Sequence, residues 1–168
     1  MLDLKEKKIT PEVTPLIYHK LSNLAYEMGL SIYDKTMPYK MKGLYADGHI
    51  WINRSISTLT EKGCILAEEI GHHITSHGNI LDLRDIKNRK QELRARQWAY
   101  EMIIPLSSLV QAHHARVKGR YELAEYLGVT EEFLQNSIDR YFDKYGKYTT
   151  VDNYIIYFEP LGIVEMFE

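Results

Sequence analysis

The sequence predicts an α+β fold, mainly helical, with a small antiparallel sheet. Three observations lead there. Apolar residues recur at helical spacing in several separate segments. Two short β-prone runs flank Asp47-Gly48, a dipeptide suited to the tight turn of a hairpin. A second pair of such runs meets at Asp152-Asn153. A chain of 168 residues with 45% hydrophobic and 26% charged side chains can bury a core as one domain with a small appendage.

Taken in order, residues 1–10 are a polar start. Val13, Leu16, Ile17, Leu21, Leu24, Ala25 and Met28 then share one helical face. Thr10-Pro11 or Thr14-Pro15 opens that helix and Gly29 closes it. Residues 30–42 have no clear period. The hairpin follows, and its second strand should set Ile50 and Ile52 against His49 and Trp51. A helix is expected from about Glu61 to His77, with Thr60 as its cap and Gly78 as its stop. Residues 79–87 form a polar connection. Another helix runs from Asn88 to Ile104, before Pro105, and a shorter one from Leu106 to Ala115. Tyr121–Tyr141 reads as helix, turn, helix, with Gly128-Val129-Thr130 in the turn. Tyr148–Val151 and Tyr154–Phe158 are short strands, and Glu159-Pro160 breaks into an apolar tail.

A net charge of -2 supplies no global cationic field for nucleic acid or anionic lipid. No apolar run is long enough to span a membrane. MLDLKEKKITPE lacks the apolar centre of a secretory signal, so the expected location is cytoplasmic. Cys64 is alone and makes no internal disulfide, which fits a reducing compartment.

The chemistry concentrates in Leu66-Ala67-Glu68-Glu69-Ile70-Gly71-His72-His73. On a helix advancing about 100° per residue, with Glu68 at zero, His72 falls near 40° and Glu69 near 100°. Leu66, Ala67, Ile70 and Ile74 fall on the opposite side. Glu68 and His72 are one turn apart, so both can reach one metal ion. In the next helix the apolar stripe is Ala95, Ala99, Met102 and Ile103, with Leu93 and Trp98 at its margins. Glu92 extends it backward by one turn. A carboxylate there is costly unless it meets a metal or a cation, and Arg89 and Arg96 are the cations within reach.

The run EEIGHH, followed by Glu92-Leu93-Arg94-Ala95-Arg96-Gln97-Trp98-Ala99 and Ile103-Ile104-Pro105, resembles the ImmA/IrrE family of zinc metallopeptidases. Gly48-His49-Ile50-Trp51-Ile52-Asn53 echoes the strand that such proteins place just ahead. The resemblance is closest to short members encoded by prophages. It implies a zincin-like metallopeptidase core over residues 1–116, a helix-turn-helix-like subdomain over 117–145, and short strands and a tail over 146–168. It further implies Zn2+ held by Glu68, His72 and Glu92, with Glu69 as the general base. The protein substrate it implies is a helix-turn-helix repressor of a phage or mobile element. Glu68 stands where the family carries histidine. A second reading is therefore a weak or inactive peptidase fold that binds the repressor without cutting it.

Other residues have plainer readings. His73 and His77 are also one turn apart, but lie on the apolar side with no acidic base beside them. His113-His114 closes a helix, where cations belong. His49 is an exposed strand residue, unless it faces the site and assists an oxyanion. Cys64 is a small core residue. The helix-turn-helix-like segment carries Glu131, Glu132 and Asp139 against Arg140 on its second helix. That face repels phosphate, so the segment is expected to pack or to dock protein rather than read DNA.

Overall fold

The computed structural model describes residues 14–75 and 86–167. Helix α1 spans Thr14–Glu27; Thr10-Pro11, the other expected opening, lies outside the described residues. Gly29, at φ +75°, ends it in the left-handed region that a side chain disfavours. Strand β1 (Ser31–Lys35) follows, then the hairpin of β2 (Gly43–Ala46) and β3 (His49–Asn53). Asp47 and Gly48 both take positive φ, the conformation a two-residue hairpin turn demands. Ile50 and Ile52 are wholly buried while His49 is exposed, as the alternation predicts.

The first sheet differs from expectation. Its order is β1-β3-β2, with β1 parallel to β3 and β2 antiparallel to it. The strand in residues 30–42 escapes a sequence reading because only Ile32 packs on the core from its alternate positions. Its pairing is to a distant strand rather than to a hairpin neighbour. Asn53 ends β3 in a buried position. Its side-chain amide donates to the carbonyls of Met37 (3.1 Å), Pro38 (3.3 Å) and Met41 (2.9 Å). One side chain thereby shapes the loop leading into β2.

Helix α2 (Leu59–Thr75) begins two residues before the expected start. Thr58, not Thr60, caps it, its hydroxyl accepting from the Glu61 amide at 3.2 Å. The expected end at His77-Gly78 and residues 79–85 of the expected connection lie outside the described residues, as do residues 1–10, while Ile86 and Lys87 already belong to the next helix. Helix α2 packs on α1, on β2 and β3, and on α3 (Ile86–Ile103). Leu66, Ala67 and Ile70 are wholly buried, whereas Ile74, near the helix end, is exposed. On α3 the buried stripe is Ala95, Ala99 and Tyr100, continuing to Ile104. Met102 is exposed rather than part of it, because the packed face turns toward Tyr100.

Helix α4 (Leu106–His114) leads to α5 (Gly119–Leu127) and α6 (Glu131–Tyr145). Gly128 turns the chain at φ +68°, and the Thr130 hydroxyl caps α6 by accepting from the Phe133 amide at 3.1 Å. The acidic helix buries Phe133, Leu134, Ile138 and Tyr141 against the core. The buried Tyr141 hydroxyl donates to the Ile104 carbonyl at 2.6 Å, tying α6 to the end of α3. Strands β4 (Tyr148–Val151) and β5 (Tyr154–Phe158) match expectation. The apolar tail is a further strand, β6 (Leu161–Glu165), antiparallel to β5. Among the described residues no helix is long and apolar enough to cross a membrane.

Candidate active site

Two stripes of side chains face one another. Helix α2 presents Cys64, Glu68 and His72 at four-residue intervals, and α3 presents Glu92, Arg96 and Tyr100. The helices run antiparallel, so His72 meets Glu92 at one end. Gly71 brings them together: a Cβ there would lie 2.4 Å from the Ala95 carbonyl oxygen. His72 Nε2 is then 3.1 Å from Glu92 Oε2. The other Glu92 oxygen, Oε1, is 2.7 Å from Arg96 Nε. The metal and cation readings of Glu92 are thus joined, since one carboxylate faces the imidazole and the guanidinium at once.

Strand β2, an edge of its sheet, supplies the adjoining wall. Gly43 lets it approach α2 closely; a Cβ there would lie 2.4 Å from Glu69 Oε1 and 2.6 Å from Ile65 Cγ2. The Tyr45 backbone favours the charged form of the Glu69 carboxylate. The Tyr45 hydroxyl is 2.8 Å from His73 Nδ1, latching β2 to α2. Lys42 pairs with Glu61 at 3.0 Å and with Glu132 of α6 at 3.6 Å. Thr130, Phe133 and Asn136 complete a cleft of about 1080 Å³ over Glu68, Glu69, His72 and Glu92.

The electrostatics follow from burial in this cleft. Burial pushes the Glu69 carboxyl up to about 7, reinforced by the nearby Glu68 and Glu92 charges and opposed by His72 and the Tyr45 amide. Burial likewise raises Glu68, opposed by Arg96. Burial works against a charged His72, but its hydrogen bond to Glu92 and the surrounding carboxylates outweigh that and raise it. The same bond, with Arg96, holds Glu92 below the usual carboxylate range. A carboxyl that titrates near neutrality in a cleft is suited to moving protons.

The donors can be tested against zinc. Two ligands about 2.0–2.2 Å from a tetrahedral ion stand roughly 3.3–3.6 Å apart. His72 and Glu92, at 3.1 Å, stand a few tenths of an ångström closer than that, a gap that a small side-chain shift opens, and imidazole and carboxylate are ordinary zinc donors. Glu68 lines the same cleft one turn before His72. Among the described residues, however, no three His, Cys, Asp or Glu side chains are gathered closely enough to hold an ion. The structure thus joins His72 to Glu92 without drawing Glu68 in.

The remaining histidines are elsewhere. His73 is engaged by Tyr45, and His77 lies outside the described residues. His49 sits on the outer sheet face beside Tyr33 and Trp51. His114 Nε2 is 2.7 Å from the Tyr154 hydroxyl, joining α4 to β5. Cys64 is buried, its thiol pushed up to about 11 by burial. Gly43 and Tyr45 were not singled out from sequence. Their roles depend on backbone atoms approaching α2, which side-chain patterning does not report.

Neither a curated protein nor a solved structure matches the chain at a significant level. The family model for peptidase M78, the IrrE N-terminal-like domain, matches residues 21–139, a span from α1 into α6 that includes both facing helices and β2. The chain belongs to this family and has its metallopeptidase-type fold.

Proposed function

We propose that the chain is a zinc-dependent endopeptidase. The observation that carries this reading is the meeting of His72 and Glu92, 3.1 Å apart, in the cleft that buries Glu69. On this reading His72, Glu92 and Glu68 hold the ion, Glu68 turning in from its place one helical turn away. When bound, zinc supplies Lewis-acid polarisation of the scissile carbonyl and acidifies the attacking water. Glu69 accepts the water proton on its carboxylate and delivers it to the leaving amine. The close wall at Gly43 holds that carboxylate in place. The outer edge of β2 borders the cleft, where an extended substrate can add as a strand.

The resemblance of the motif set supports a helix-turn-helix repressor of a prophage or mobile element as the substrate, met in the cytoplasm. Residues 1–116 then form the catalytic core, 117–145 the helical segment walling the cleft, and 146–168 the strands that follow.

The test is Glu69→Gln. The amide keeps the side chain's size but accepts no proton. Zinc content should persist while repressor cleavage falls about 10²–10⁴-fold. His72→Ala should lose zinc and cleavage together. Glu68→His restores the family's usual donor and should tighten zinc binding. If Glu69→Gln relieves repression as well as the parent, the protein acts by docking rather than by cutting.

A further inference from the structure

Glu92 makes two contacts in opposite directions. Oε2 faces His72 Nε2 at 3.1 Å, and Oε1 faces Arg96 Nε at 2.7 Å. Arg96 stands one turn after Glu92 on the same helix, so the second contact is fixed to the frame of α3. A guanidinium Nε–H is part of a rigid plane, unlike a rotating ammonium. It therefore defines the carboxylate's rotation as well as its position. A glutamate free at one oxygen could swing toward solvent or present both oxygens; this one is left with a single oxygen directed at His72. The cleft also gathers Glu68, Glu69 and Glu92, whose mutual repulsion would spread them apart. Arg96 lines that cleft and acts on Glu68 as well as on Glu92.

We infer that Arg96 is the positioning residue of the metal site: it orients Glu92 as a one-oxygen donor toward the ion. This rests on the zinc reading given above. It is not a catalytic residue, because its contact is with the ligand and not with substrate. Sequence offered Arg96 only as an alternative to a metal for Glu92. The two contacts are compatible because they use different oxygens.

Charge alone predicts the reverse of this inference. Removing a nearby cation should tighten the binding of another cation. Orientation predicts weakening, in the range of about 10–100-fold seen when a ligand's supporting hydrogen bond is lost. The experiment is zinc affinity of the full chain, measured by competition with a chromophoric chelator, for the parent, Arg96→Gln and Arg96→Lys. Circular dichroism of the chelated forms checks that each is folded. Arg96→Gln should bind zinc about 10–100-fold more weakly. Arg96→Lys restores a charge and one donor without the plane, so it should fall between Arg96→Gln and the parent. Binding by Arg96→Gln as tight as the parent's, or tighter, overturns the inference. So does Arg96→Lys that is no better than Arg96→Gln, since the loss then owes nothing to a donor at this position. A parent that binds no zinc overturns the underlying metal reading, and this inference with it, which is a different result from either.

Discussion

Gly71 and Ala95 meet backbone to backbone: a Cβ on Gly71 would lie 2.4 Å from the Ala95 carbonyl oxygen and 3.0 Å from its carbonyl carbon. No side-chain rotation relieves such a contact, because the obstacle is the main chain of α3. The pair lies beside the chemistry. His72 follows Gly71, and Glu92 precedes Ala95 by one turn. Gly71→Ala should therefore push α2 and α3 apart and lengthen the His72–Glu92 contact. A destabilisation of about 1–3 kcal/mol, the usual cost of overpacking, is expected in urea unfolding. Zinc binding should weaken in the same variant, and unchanged stability would show that the helices can shift freely.

Gly43→Ala probes the opposite wall. Its new methyl would meet Glu69 Oε1 and Ile65 Cγ2, both side-chain atoms that can move. The expected result is a modest stability loss with a large functional one. Displacing the general base by about an ångström should cost on the order of 10²-fold in cleavage. Zinc content should be nearly unchanged, since His72 and Glu92 are not touched. Equal cleavage by Gly43→Ala and the parent would remove Glu69's placement from the account.

Metal-free protein should lose stability as pH rises. The Glu69 carboxyl is raised from 4.5 to about 7, so between those values the folded state holds a proton that the unfolded chain has released. Stability then falls as pH climbs through that window, by about 3 kcal/mol once pH is above both values. Glu68, also raised, acts in the same direction. So does His72: its contribution is full below 6.5 and disappears as pH passes its raised folded value. Glu92 is lowered, and its contribution is lost only at the acid end. Melting temperatures of chelator-treated protein should drop between pH 5 and pH 8, and Glu69→Gln should flatten much of that drop. A rise over the same interval would contradict this account of the cleft.

The Tyr141 hydroxyl is expected to contribute through the carbonyl it satisfies. It donates to Ile104 at 2.6 Å within the core. Tyr141→Phe leaves that carbonyl without this donor and should cost about 1–3 kcal/mol in urea unfolding. Because Tyr141 joins α6 to the end of α3, the variant should also loosen the α6 wall of the cleft. Faster amide exchange in α6 than in α2 would report this.

What the sequence by itself determined is local. The hairpin at Asp47-Gly48, the stops at Gly29 and Gly128, and the helical placement of Glu68, Glu69 and His72 depend on residues within a few positions of one another. Backbone preference and helical periodicity act over that range. The Glu92–Arg96 pair was also legible, being one turn apart on one helix. Tertiary structure decided the rest. Parallel pairing of β1 with β3 needs a partner beyond a tight turn, and no pattern within Ser31–Lys35 announces it. The closeness of His72 to Glu92 depends on Gly71 meeting Ala95, a contact between backbones twenty-four positions apart. The packing of Gly43 against Glu69 likewise depends on an edge strand approaching α2. Sequence patterns place side chains on the faces of an element; which faces meet, and how closely, is decided by packing among elements that are distant in the chain.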